Sequence, residues 1–261
     1  MLWKVAGTNL HLLGSIHTAD STVSLGLEAS RRIDEASTVA FEVKPGIDPN
    51  LSKGFFRHGV KLSSVISDGL FTATQALWAR LQIDGDLESH RPWLAGLVVV
   101  NNLKREWGYN DAHSVELLVS AKCSGKSLFY LEQVNAALDA FAGAPPIEQE
   151  EFLSGAVQRL EEGRDTLATI CAAWRADRPD DLMPIVRKQL AQTPKLQGAV
   201  IGARNRAWLR HLERFARAST PTVAVVGALH FVGPASIPEL LAKRGFRCDF
   251  IGNSADEGST A

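Results

Sequence analysis

The 261 residues are 45% hydrophobic and 22% charged, an ordinary globular balance with enough apolar material for a core. Basic and acidic residues number 28 and 29, and the formal charge of −1 gives no overall field to draw in nucleic acid or anionic lipid. The longest apolar stretch, Trp93 to Val100, is far short of the roughly 20 residues of a membrane helix, so no membrane insertion is expected.

The opening run MLWKVAGTNLHLLG has one Lys and an apolar stretch broken by polar residues and glycine. It does not read as a secretory signal, and a cytoplasmic protein is expected. Leu10 to Leu13 and Thr38 to Val43 read as strands, the first stopping at Gly14 and the second before Lys44-Pro45-Gly46. Between them Leu25, Ala29, Ile33 and Ala36 recur at helical spacing, which predicts a βαβ unit with a right-handed crossover. Helices are predicted over 71–82, 93–107, 114–123, 148–175, 179–192 and 197–218, interrupted by a strand over Lys126 to Leu131. Thr222 to Val226 is the most strand-like run and stops at Gly227; a helix over 236–243 and a strand over 247–251 follow. Cys123, Cys171 and Cys248 are far apart and form no C-x-x-C pair, so free thiols in a reducing compartment are expected.

The predicted fold is α/β, a mainly parallel sheet built from N- and C-terminal units of strand, Gly-x-x-His, helix and strand. A single domain over residues 1–253 carries helical insertions at about 48–125 and 145–217, and the small polar tail 254–261 is expected to be disordered. The matching ends suggest two related halves around a helical insertion.

Chemistry is expected where the two units end. Ligands of open α/β sheets bind beyond the carboxyl ends of strands, and Gly14 to His17 and Gly227 to His230 each follow an apolar strand directly. Gly14 and Gly227 serve as turns where the chain leaves the sheet with positive φ or close backbone approach. Glu42 near the end of TVAFEV and Glu132 directly after KSLFYL add two carboxylates, and a carboxylate flanked by Phe41 and Val43 is costly unless partnered. Two imidazoles and two carboxylates can hold a divalent metal, or supply acid and base without one. Tyr109 and Asp111, in a turn after Gly108, are candidates for the substrate rim. His11, His58, His90, His113 and His211 lack a comparable context and are assigned to surface or packing.

In order along the chain, LWKV, LHLLGSIH, AFEV, YLEQ, ARNRAW and VAVVGALHFVGP with LLAKRGF resemble the TraB/GumN family, which includes the Tiki proteases. The family is distantly similar to erythromycin esterases and ChaN-like haem-binding lipoproteins. The resemblance implies an α/β core with a helical insertion and a metal-dependent peptidase activity using manganese or cobalt. By position it makes His17, Glu42 and His230 metal ligands or acid–base groups with Glu132 in support, and it sets Arg204 and Asn205 to bind substrate. A metal-assisted hydrolase of a peptide or a small ester or amide is therefore the leading expectation. Its alternatives are a metal-independent esterase with His17 or His230 as base, and a non-catalytic regulatory protein that binds haem or a peptide.

Overall fold

A computed structural model describes residues 1–252, so the predicted tail lies outside the described residues. Six strands form one mixed sheet: β1 (Leu2–Val5), β2 (Leu10–Ser15), β3 (Thr38–Phe41), β4 (Ser127–Tyr130), β5 (Thr222–Gly227) and β6 (Cys248–Phe250), in the order β4-β3-β5-β2-β1-β6. The run β4-β3-β5-β2 is parallel, while β1 pairs antiparallel with both β2 and β6. The chain is thus α/β, as the alternation of apolar runs and helical periods predicts. Every residue of β2 and β5 is buried, which matches the unbroken apolar runs of strands covered on both faces. Edge strand β4 is exposed over Ser127 and Leu128.

Helix α1 (Leu27–Glu35) links β2 to β3, burying Ala29 and Ile33 as its period predicts. The two strands are not neighbours, because β5 lies between them. After β5, helix α11 (Ile237–Ala242) leads to β6, which pairs with β1 and not with β2. Strand β1, unread as a strand in the sequence, occupies the position next to β2 that two equivalent halves would leave for β6.

The insertion between β3 and β4 carries α2 (Asp68–Arg80), α3 (Pro92–Glu106) and α4 (Val115–Ser120). Between β4 and β5 come α5 (Ala136–Ala142), α6 (Pro146–Gln158), α7 (Leu160–Arg175), α8 (Met183–Gln192), α9 (Pro194–Gln197), a π-helical segment (Gly198–Ala203) and α10 (Arg204–Arg217). A main core surrounds the sheet, and a second lies among α2, α3 and α6, where Leu77, Trp78, Val99, Leu103 and Leu153 are buried together. Among the described residues no helix is long and apolar enough to cross a membrane.

Three predicted elements change. The strand from Thr38 ends at Phe41, leaving one backbone hydrogen bond from Glu132 N–H to the Glu42 carbonyl (2.9 Å) before Pro45 and Gly46 turn the chain. The long helix over 148–175 breaks at Arg159, whose extended φ of −121° lets its guanidinium turn back onto Glu151 at 2.7 Å. The helix from 197 opens with the π segment before it becomes α-helical at Arg204.

Candidate functional site

Register brings the predicted residues together. Gly14 stands opposite Val226 and Ser15 opposite Gly227, so the loops bearing His17 and His230 leave the same sheet end side by side. Phe41 pairs with Val225 on one side and Tyr130 on the other, which sets Glu42 and the Glu132 turn at the same level.

Gly227 is the point of closest approach. A β-carbon there would lie 3.2 Å from both Glu42 Oε1 and His17 Nε2, and 3.5 Å from His230 Cδ2. Its φ is −51°, so the glycine serves close packing and not a left-handed turn. Gly14 serves likewise: a β-carbon would meet the Trp3 ring at 3.2 Å.

Glu42 is 7% exposed, and both its oxygens are taken. Oε1 accepts from the Gly227 N–H at 2.6 Å, and Oε2 from Arg204 Nη2 at 2.6 Å. Burial works to raise its pKa, but His230, Arg204, His17 and the Gly227 amide outweigh it and bring the carboxyl down to about 2. Arg204 also clasps Glu132, with Nε and Nη2 donating at 2.6 to 3.1 Å, while Nη1 donates to the Val200 carbonyl at 3.0 Å and meets His230 Nε2 at 3.5 Å. One helical turn on, Trp208 stacks under the guanidinium at 4.7 Å and donates its indole N–H to Glu132 Oε2 at 2.9 Å. All five Arg204 N–H groups therefore have partners within the protein.

His230 is held from behind. Its Nδ1 lies 2.5 Å from Asn205 Oδ1, while Asn205 Nδ2 donates to the carbonyls of His230 (3.2 Å) and Ala235 (2.9 Å). Burial pushes its pKa down to about 3, so the ring is neutral. The proton sits on Nδ1, facing the amide oxygen, and Nε2 keeps its lone pair toward Glu42 Oε1, 3.9 Å away. With His230 neutral, the standing positive charges beside Glu42 are those of Arg204 and of His17.

His17 Nδ1 contacts Glu116 Oε1 at 2.7 Å, and the same oxygen accepts from the Ser15 hydroxyl. The imidazole is 62% open, but that opening faces the cavity it lines, so the ring is at once deep in the protein and reachable. The Glu116 carboxylate is the main reason its pKa rises to about 9, against the opposing effect of burial.

Above these groups lies a cavity of about 780 Å³, with apolar walls from Val100 (α3), Phe152 (α6), Leu167 and Ile170 (α7), Ile185 (α8) and Ile201 (π segment). Its volume is that of a small-molecule or short-peptide site. His17, Glu42, Glu132, Arg204 and His230 line its floor. Asn205 does not: it is fully buried and orients His230. Tyr109 packs against the main core, and Asp111 accepts from Thr18 at 2.5 Å behind the floor. Glu116, absent from the sequence reading, holds His17. Its only sequence signal is a helix start after Ser114, which any capped helix shares.

Among the described residues no three His, Cys, Asp or Glu side chains are already gathered as a metal centre. The groups around Gly227, two imidazoles and a carboxylate, are nevertheless of the kinds that ligate divalent cations. His230 Nε2 is 3.9 Å from Glu42 Oε1, His17 Nε2 flanks Gly227 with that oxygen, and each imidazole is fixed through Nδ1 by an oxygen, as metal-bound histidines usually are.

A family model described as the TraB/PrgY/gumN family matches residues 1–249. No curated protein and no solved structure matches the chain.

Proposed function

Because the chain belongs to the TraB/PrgY/gumN family, we propose that it is a hydrolase of amide or ester bonds, assisted by a divalent cation such as manganese or cobalt. The carrying observation is the convergence of His17 Nε2, Glu42 Oε1 and His230 on Gly227 at the floor of an apolar cavity. His17, Glu42 and His230 would hold the cation, which supplies Lewis acidity toward a carbonyl and a bound water. Arg204 keeps Glu42 ionised and fixes which oxygen faces the histidines. Asn205 sets the His230 tautomer, and Glu116 sets the plane of His17. The apolar walls exclude water and receive the hydrocarbon part of a peptide, acyl or ester substrate.

Titration calorimetry with manganese or cobalt on wild type, His17→Ala and His230→Ala tests this reading. One site in the wild type, weakened at least about tenfold in each folded variant, is expected; no binding in the wild type overturns the metal. A second reading, the metal-independent esterase, draws on the His17–Glu116 pair, in which a carboxylate orients an imidazole whose other nitrogen faces the cavity. Ester hydrolysis that persists in excess chelator would favour it.

A further inference from the structure

Lys104, Arg159, Lys188 and Arg204 are the lysines and arginines that line the cavity. Three already have counter-charges: Arg159 pairs with Glu151 at 2.7 Å, Lys188 with Glu162 at 2.8 Å, and Arg204 with Glu42 and Glu132 at 2.6 Å each. Lys104 has no comparable ion pair among the described residues. Its Nζ makes one long hydrogen bond, 3.4 Å to Thr18 Oγ1, and the Thr18 hydroxyl is committed to Asp111. Burial lowers its pKa, with Asp111 the first group pushing the other way.

A half-buried ammonium group on a cavity wall gains from a direct partner, and within hydrogen-bond range the protein supplies only a neutral hydroxyl, with Asp111 behind it. The group's position suggests what is missing. Thr18 directly follows His17, so Lys104 stands beside the proposed reaction centre, while Val100, one turn earlier on the same helix, begins the apolar wall.

We propose that Lys104 receives a carboxylate of the substrate, and that the substrate is an apolar amide with this carboxylate a few bonds from the scissile group. An N-acylated amino acid has that form, as does a short apolar peptide with a free C-terminus. The word substrate rests on the hydrolase reading; the anion site itself does not. Arg204, whose N–H groups are all engaged within the protein, is left to hold Glu42, and Lys104 takes the recognition role.

The test is binding, measured by calorimetry near neutral pH on wild type, Lys104→Met and Lys104→Arg. The probes are N-decanoylglycine against its methylamide, and acetyl-Leu-Leu-Gly with a free against an amidated C-terminus. One charge-assisted hydrogen bond corresponds to about a tenfold preference for the free carboxylate in the wild type. That preference should vanish in Lys104→Met and largely survive in Lys104→Arg, with the neutral probes unaffected. The pair with the larger preference identifies the acyl or the peptide source. Equal affinity for charged and neutral probes in the wild type, no binding of any probe, or a preference retained in Lys104→Met overturns the proposal. The wild-type comparison decides even if the methionine variant does not fold. Carboxylate preference without hydrolysis would sink the enzyme reading and leave the anion site standing; hydrolysis without preference would do the reverse.

Discussion

Glu42 is ionised in a place that would ordinarily neutralise it, and Arg204, in direct contact with it, is among the charges that permit this. Replacing Arg204 by Met strands two carboxylates, Glu42 and Glu132, and is expected to cost about 3–5 kcal/mol in urea denaturation. Combining it with Glu42→Gln should recover part of that loss, since the two side chains are in direct contact. A cost below about 1 kcal/mol, the range of exposed pairs, would show that the ion pair does not hold the site. A second residue carries a pH signature. His11 on β2 is buried with no hydrogen-bond partner for Nε2, and burial, then Arg32 and Lys4, lowers its pKa from 6.5 to about 4. The unfolded chain binds this proton more readily, so the stability due to a neutral His11 is lost as pH falls from 6.5 toward 4. From pH 7 to 5 the wild type should lose about 1 to 2 kcal/mol more than His11→Leu, after allowance for partial solvation; equal losses would clear His11. That His17, Glu42, Glu132 and His230 would meet at one cavity was legible because each follows the end of a strand of one sheet. Glu116 and Lys104 were not, because a polar residue on a helix looks the same in sequence whether it meets water or a cavity.

Among elements, the π segment Gly198–Ala203 leads directly into Arg204, whose guanidinium reaches back to its Val200 carbonyl at 3.0 Å. Deleting Ala199 should let the segment settle into a regular α-helix with Arg204 still facing Glu42 and Glu132, because a π turn takes up about one residue more than an α turn and the flanks keep their register. Circular dichroism should show helix content retained, and Arg204→Met should still cost about 3–5 kcal/mol in the deleted background, since the carboxylates are paired there too. A much smaller cost of Arg204→Met in that background would show that the π turn itself aims the guanidinium. Strands β2, β3 and β5 and helix α1 were readable because their apolar periods are strong and glycine or proline closes them. Strand β1 hides in a run of four residues with a charged Lys4, and helix α5 in a stretch rich in alanine. The break at Arg159 has neither glycine nor proline to announce it, and the long-range bond that fills it is invisible to local pattern.

At the scale of the molecule, two cores of unequal extent share the chain, one wrapped around the sheet and one among α2, α3 and α6. Native-state hydrogen exchange should therefore rank amides of β2 and β5 at the global unfolding free energy and those of α2 below it. Equal values would mean that the helical core opens only with the sheet. The order β4-β3-β5-β2 has a further result in time. Strand β5 is among the last to leave the ribosome, yet it lies between β2 and β3 and brings both Gly227 and His230. A growing or severed chain that stops short of it has His17 without His230 and lacks the Gly227 amide that holds Glu42. The proposed site is assembled only when the sheet closes, so any chemistry done there belongs to the finished fold and to none of its fragments.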